Sequence, residues 1–580
     1  MTYSVADIID AINSSLYLNS DNLSFSLCYS LCANKKLFEI LGQSENQIIF
    51  GRRGTGKTTL LKAFSYYTND VCGQSLSDYR FSWYVNLNNI ISSHIERNNN
   101  AQVDDIVAYC IKDFLLEFMD FLIIQYEKMQ HFCLTAKGKI SKDYIEYELL
   151  DLLLLIENGS AVQTDAARKD FEKEGSEKKS NYGISVTTNG NLSLGSLRDR
   201  INFKFDFLKQ KNKIIETKVE KTFIYRIDLN KISRKMEKLL LDMNIFNVYI
   251  CIDEFSQIDR NISQTIQPQM AQALKQLFFS SRVITLKIAS VWNEQRMQHR
   301  QINGLREGVE FNHDIVSRKQ LDLDNMFADE KLAATNFFTE LLLNCYNVNS
   351  NISSSRETDL KYMTEFIMNI LFSQNAFECL VCGTQGVPRN FVVMLSELLY
   401  EIKDKKNKKI KVSSVYRCVI SSYTKSVRQS IPPTSKVCEC IDRYIERTRH
   451  RVFALENSEY DKFVNYIDGL VANGVIYQYP SDKIIRKIRN SHKFFLVHYG
   501  NYLEAIQADI NELGKSASDF ELYPEIDVQV QNNISEYCLT FPPDALNLMY
   551  CTYCHFTFAR TDSNNIAVCP KCHKPIAYWY

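Results

Sequence analysis

Short apolar runs alternate along the chain with longer stretches of helical periodicity, the pattern of strands alternating with helices. Ile8, Ile9 and Ile12 recur at helical spacing and predict helix within residues 1–45. "IIFGRRGTGKTTLL" (48–61) reads as a strand, a glycine-rich loop and the start of a helix. "FSWYVNLNNI" (81–90), rich in aromatic and β-branched residues, predicts a second strand, and a long apolar helix covers roughly 103–127. "NVYICIDEFSQID" (247–259) and "SRVITLKIASVWNEQR" (281–296) each open on an apolar run. Such runs mark strands buried on both faces of a parallel sheet. The expected fold class is therefore α/β.

Residues 157–182 are polar, carry charge runs, and read as a mobile segment or surface excursion. "ISVTTNGNLSLG" after them reads as a hairpin turning at Asn189-Gly190. Together they form an insertion over about 125–225 within an α/β core spanning 46–335. A helical region follows over 336–425. Residues 426–515 then run helix, helix, the strand-like "VIYQYP", a basic turn and the strand "FFLVHY", as a winged helix requires. A C-terminal region, 516–580, closes the chain.

The 580 residues are too many for one core. Lys+Arg and Asp+Glu are both 68, so any basic surface must be local. The opening "MTYSVADIIDAINSSLYL" is polar and amphipathic, unlike a signal peptide, and "LLEFMDFLII" is too short to span a bilayer. The 17 Cys are mostly scattered, as at Cys28, Cys110, Cys251 and Cys345, and read as reduced thiols of a cytoplasmic protein with no membrane contact.

The loop fits G-x-x-x-x-G-K-[ST] through Gly51, Arg52, Arg53, Gly54, Thr55, Gly56, Lys57 and Thr58, with Thr59 next. Its backbone N–H groups are expected to cradle the phosphates of ATP, Lys57 to reach the β- and γ-phosphates, and Thr58 to hold Mg²⁺. Asp253 and Glu254 end an apolar strand, where ligands of open α/β sheets bind. Asp253 is expected to hold the Mg²⁺ water shell and Glu254 to orient or deprotonate the attacking water.

Cys551-x-x-Cys554 and Cys569-x-x-Cys572, fourteen residues apart, predict a four-thiolate tetrahedral Zn²⁺ site in a zinc ribbon over 547–580. With no open coordination position, that site suits recognition rather than catalysis. Cys379-x-x-Cys382 has no second pair nearby and reads as core. In the expected winged helix, the wing carries Lys483, Arg486, Lys487, Arg489 and Lys493, which suit phosphates. Its recognition helix (459–472) carries Glu459, Asp461 and Asp468 against Lys462, a poor surface for a major groove.

The order "GRRGTGKT", "CIDEF", a polar strand end near Ser290, "GVPR" (386–389) and a winged helix resembles the origin-recognition-complex-like branch of AAA+ ATPases and the related STAND ATPases. The resemblance covers roughly residues 40–500. It implies that the helical region is a lid and that Arg389 is a sensor touching the γ-phosphate. It also implies a γ-phosphate contact from Ser290 or Asn293, both of which qualify. Arg296, Arg300 and Arg306 are each open to two readings, as an arginine finger on a neighbouring subunit or as surface arginines. Bacterial proteins of this resemblance occur in genome-defence settings. The function implied is an ATP-hydrolysing switch that forms a nucleotide-dependent homo-oligomer and acts with a protein effector. The winged helix and ribbon would then meet nucleic acid. A replication initiator gripping duplex DNA is the other reading, weakened by the insertion and the acidic recognition helix.

Overall fold

The computed structural model describes most of residues 5–506, together with 524, 534–542, 548–550, 557–559, 567–568 and 575–576. The stretches of five or more residues outside the description within 5–506 are 17–21, 73–78, 92–102, 137–141, 163–223, 258–265, 292–296, 301–305, 351–355, 404–408 and 431–435. In chain order the strands are β1 (Gln47–Phe50), β2 (Tyr79–Asn86), β3 (Ser160–Val162), β4 (Ile224–Arg226), β5 (Ile245–Asp253) and β6 (Ile284–Ser290). They continue with β7 (Gln298–Arg300), β8 (Arg306–Gly308), β9 (Val316–Asp322), β10 (Val452–Glu456), β11 (Ile476–Gln478) and β12 (His492–Val497). The last four are β13 (Leu548–Tyr550), β14 (Thr557–Ala559), β15 (Ala567–Val568) and β16 (Pro575–Ile576).

The fold is α/β. Its centre is a five-stranded sheet in the order β2-β5-β6-β1-β9, with every neighbouring pair parallel. The apolar runs are buried as a parallel sheet demands: every residue of β1 and of β6 is buried. Helix Val103–Ala136 covers one face, where Trp83 meets Phe114 and Phe118 with ring centroids 5.0 and 5.1 Å apart. Helices Phe25–Leu31 and Lys57–Tyr66 cover the other, where Phe64 meets Tyr249 edge-on at 5.4 Å.

One buried cation fixes how the chain enters β1. Lys287, in the middle of β6, donates to Gln43 O and Glu45 O at 2.8 Å and to Gln47 Oε1 at 2.9 Å. Burial pulls its amine down to about 7, yet three acceptors match the three N–H bonds of an ammonium. We therefore read the lysine as charged, a peg that holds the turn before the sheet.

Strands β3 and β4 pair antiparallel, with Val162 opposite Ile224. The expected hairpin over 184–195 and the polar stretch before it fall almost wholly in that range, outside the described residues. Helix Lys142–Asn158, within the expected insertion, instead joins the core through Leu149, Leu152 and Ile156. Tyr144 also bonds Asp242 at 3.1 Å.

A second core unites helix Val5–Leu16, the helices between Lys331 and Ser426, and a three-stranded antiparallel sheet in the order β10-β12-β11. Helices Lys436–Thr448 and Asn457–Ala472 flank β10 in sequence. Because the helices and the small sheet share one apolar cluster, they form one packed body beside the parallel sheet.

The segment 534–541 lies along this body. Ala454 N–H donates to Tyr537 O at 2.7 Å, and Leu539 N–H donates to Ala454 O at 2.9 Å. Phe541 then packs on Phe463 of helix Asn457–Ala472, centroids 4.7 Å apart, and its N–H donates to Glu459 Oε1 at 3.2 Å. Part of the expected recognition helix, already a poor surface for a major groove, is thus covered by the 534–541 segment.

Candidate functional site

The carboxyl ends of the central strands place the predicted residues side by side. Phe50, which precedes the loop, pairs with Ser290 on β6 and with Asp322 on β9. Strand β6 pairs with β5, which ends at Asp253. Val291 N–H donates to Ser256 Oγ at 3.3 Å and ties the two strand ends together. Residues far apart in sequence therefore meet at one edge of the sheet, the usual ligand position in open α/β folds.

The loop bends through two left-handed glycines, Gly54 at φ 84° and Gly56 at φ 92°. Gly56 caps helix Lys57–Tyr66. That turn directs backbone N–H groups and the positive helix end at the same point, a cradle for an anion. Lys57 Nζ donates to Gly51 O at 2.6 Å and Arg52 O at 2.9 Å, folding back over the loop. Thr58 and Thr59 occupy the first turn, half-buried.

Asp253 is 1% exposed. Its Oδ2 accepts from Tyr84 Oη at 2.9 Å, and its Oδ1 accepts from Glu254 N–H at 2.9 Å. Each oxygen keeps further lone-pair capacity. Glu254 sits at φ 57°, a left-handed backbone that costs a non-glycine residue about 1–2 kcal/mol. The bond to Asp253 and one from Gln257 N–H to Glu254 O at 3.1 Å hold it there. Gln257 Nε2 also bonds Glu254 Oε2, so the carboxylate is oriented rather than loose. Ser290 is 1% exposed, and its hydroxyl has no hydrogen-bond partner among the described residues. An orphaned buried hydroxyl beside a phosphate cradle fits a ligand contact.

Arg389 begins helix Pro388–Ile402, and its N–H lies 3.5 Å from Gly54 O. A Cβ on Gly54 would meet Val387 Cγ1 at 3.0 Å and Arg389 Cβ at 3.2 Å. The structure thus brings the start of this helix against the loop. Asn293 and Arg296 lie outside the described residues, and Arg300 and Arg306 are placed only as backbone in β7 and β8.

Among the described residues no group of three or more His, Cys, Asp or Glu is gathered for a metal. Mg²⁺ commonly uses only one or two carboxylates beside substrate phosphates, so Asp253 with the Thr58 hydroxyl is a sufficient donor set. Cys551, Cys554, Cys569 and Cys572 lie outside the described residues. The strands around them pair, Tyr550 with Thr557 and Val568 with Pro575.

Of the basic wing, Arg489 and Lys493 are exposed, and Arg486 and Lys487 are placed as backbone; Lys483 lies outside the described residues. On the acidic helix Glu459 pairs with Lys462 at 3.2 Å, and Tyr460 donates to Asp468 at 3.0 Å. Cys379 and Cys382 are fully buried in the second core, as expected from their isolation. No helix among the described residues is long and apolar enough to cross a membrane.

Sequence reading missed several residues at this edge: Tyr84, Asp324, Gln385, Arg451 and Tyr477. None belongs to a motif. Gln385 shows only a weak signal, its place before the glycine of "GVPR". No family model matches the chain, and no curated protein matches it.

Proposed function

We propose that the chain is an ATP-binding and ATP-hydrolysing switch of the AAA+/STAND kind, coupling nucleotide state to recognition of a ligand or nucleic acid. The observation that carries the reading is the convergence of the 51–58 loop, Asp253, Glu254 and the orphaned Ser290 hydroxyl at one sheet edge. In this reading Lys57 binds the β- and γ-phosphates, and Thr58 and Asp253 hold Mg²⁺. The metal's contribution is to neutralise charge on the phosphates. Glu254 orients the attacking water, and Ser290 donates to the γ-phosphate, a role for which Asn293 remains the other candidate.

The body that packs beside the sheet acts as lid and winged helix, with Arg389 as the nucleotide sensor. A zinc ribbon held by the four C-terminal cysteines serves recognition. The covered acidic helix favours a switch over a duplex-gripping replication initiator, since a helix packed under Phe541 presents less surface to a major groove. Homo-oligomerisation and a protein effector belong to the same proposal, in a cytoplasmic, antiphage-defence setting.

The test is ATP affinity and turnover of the full chain. Lys57→Ala should lose nucleotide binding. Glu254→Gln should bind ATP and hydrolyse it about 100-fold more slowly or worse, because the oriented base is gone. A Glu254→Gln protein turning over at the wild-type rate would remove Glu254 from the catalytic role.

A further inference from the structure

Arg52 is a variable position of the loop motif, yet it is the residue where the two cores meet. Asp324, just beyond β9, accepts its backbone N–H at 2.8 Å and its Nε–H at 2.6 Å. The guanidinium Nη2 donates to Gln385 O in the turn before the Arg389 helix. The same guanidinium lies 4.0 Å from the ring centroid of Tyr477 on β11. One side chain thus touches the nucleotide loop, the lid turn and the small antiparallel sheet.

The lid side of this contact is built to receive it. Gln385 and Gly386 are consecutive left-handed residues, at φ 56° and 74°. Gln385 is a non-glycine residue in a costly conformation, which persists where surrounding contacts over-determine it. Both its polar ends are used: its carbonyl accepts from Arg52, and its Oε1 accepts from Arg451 Nη2 at 2.9 Å. Arg451 is 2% exposed and donates from Nε to Val497 O at 3.0 Å, reaching β12. Gln385 is therefore one link between the loop and the small sheet, its backbone holding Arg52 and its side chain holding Arg451.

The loop side is shared with the phosphate machinery. Arg52 O accepts from Lys57 Nζ at 2.9 Å and from Thr55 Oγ1 at 2.8 Å. Lys57 is the residue that phosphates would recruit, so anion binding draws a donor away from the very peptide whose side chain grips the lid.

We infer that Arg52 is a positioning residue that transmits the state of the nucleotide loop to the lid turn and to Tyr477 of the winged-helix sheet. The inference rests on the nucleotide reading above. A phosphate that captures Lys57 changes the set of donors on the Arg52 peptide. The guanidinium then shifts relative to Gln385 and Tyr477, and the second core follows as a body because it shares one apolar cluster.

The experiment uses the full chain, with ATP and ADP as probes and two readouts kept apart: nucleotide affinity, and amide exchange at 385–389 and 476–478. Tyr477→Leu keeps apolar volume and removes the ring face, on a strand outside the nucleotide loop. It should leave ATP affinity near that of the wild type and cut the nucleotide-dependent change in exchange about fivefold, the factor corresponding to one cation–π contact. Tyr477→Phe keeps the ring and should restore the wild-type response, which a merely structural role for the hydroxyl would not predict. If Tyr477→Leu binds ATP and keeps the full exchange response, the coupling role of Arg52 is overturned while the nucleotide reading stands. If the wild-type chain binds neither nucleotide, both fall, and the affinity arm alone identifies that case.

Discussion

Tyr84 Oη donates to Asp253 Oδ2 at 2.9 Å, from β2 across to the neighbouring strand β5. The hydroxyl fixes the carboxylate's orientation at the point where it is expected to face Mg²⁺. Lys62 Nζ stands over the same ring, 5.3 Å from its centroid. Tyr84→Phe keeps the ring and loses only the donor. A hydrogen bond to a charged group contributes about 1.5–3 kcal/mol, so turnover at limiting Mg²⁺ should fall about tenfold or more. A Mg²⁺ titration of ATP turnover checks this, and an unchanged titration would leave Tyr84 as packing alone.

Gly54→Ala should damage the contact between the loop and the Arg389 helix. The added Cβ would lie 3.0 Å from Val387 Cγ1 and 3.2 Å from Arg389 Cβ, at a residue with φ 84°. The left-handed backbone alone costs about 1–2 kcal/mol with a side chain present. Thermal unfolding should shift downward and ATP affinity should drop. Unaltered values for both would mean that the loop relaxes freely away from the helix.

Arg389→Ala should uncouple ATP from conformational change more than it weakens binding, because the side chain starts the helix pressed on Gly54. Comparing protease sensitivity in ATP and in ADP is the measurement. A mutant with the wild-type difference between the two nucleotides would take Arg389 out of the sensor role.

The second core should be acid-sensitive through His498. Its ring lies 4.8 Å from that of Tyr423 and 5.9 Å from that of Tyr477, and its Nδ1 accepts from Gly500 N–H at 2.9 Å. Burial first, then the Arg451 and Arg52 guanidiniums, hold the imidazole well below its ordinary value. The folded chain thus binds fewer protons here than the unfolded chain does. Stability present above about pH 6.5 should be lost as pH falls below it. Asp442, in the same core, is raised by burial, and its opposing contribution lies nearer the carboxylate range. His498→Asn keeps a cap acceptor for the helix and should flatten the dependence between about pH 7 and 5.5. Denaturant unfolding across that range is the check, and an equal slope in the variant would assign the effect to other groups.

Purified protein should carry one Zn²⁺ per chain at Cys551, Cys554, Cys569 and Cys572. Deleting 547–580 should leave basal ATP hydrolysis largely intact, since the nucleotide residues lie upstream, and abolish the response to a nucleic-acid or protein partner. Metal analysis comes first: negligible zinc with four freely alkylated thiols would end the ribbon assignment. Zinc present with full partner response after truncation would reduce the ribbon to a structural staple.

Much of the central fold and its edge was legible in the chain because local physics is strong there. Strands buried on both faces are mostly apolar, so "VYICID" and "ITLKIAS" announced β5 and β6 without help from partners, with Lys287 as a polar exception held by three acceptors. The glycines of the loop take backbone angles that other residues avoid, and they appear at fixed spacing from Lys57. The paired cysteines suggest a metal site by spacing alone, and they lie outside the described residues.

Tertiary structure decided which distant residues serve those motifs. Tyr84 is one aromatic among many in an aromatic strand; only the parallel register of β2 on β5 brings its hydroxyl to Asp253. Arg52 and Gln385 are 333 positions apart, and no periodicity in either segment links them. Their meeting depends on two cores packing against each other, as does the choice of Tyr477 beneath the guanidinium. The covering of helix Asn457–Ala472 by Phe541 is likewise invisible to composition, because a single aromatic gains a partner only when the chain returns past it. The sequence by itself determined the elements and the chemistry carried by its motifs, since spacing along the backbone governs both. The arrangement that joins the loop, the turn before helix Pro388–Ile402 and the small sheet was set by packing between segments hundreds of residues apart, where side-chain shape and burial, not local pattern, select the contact.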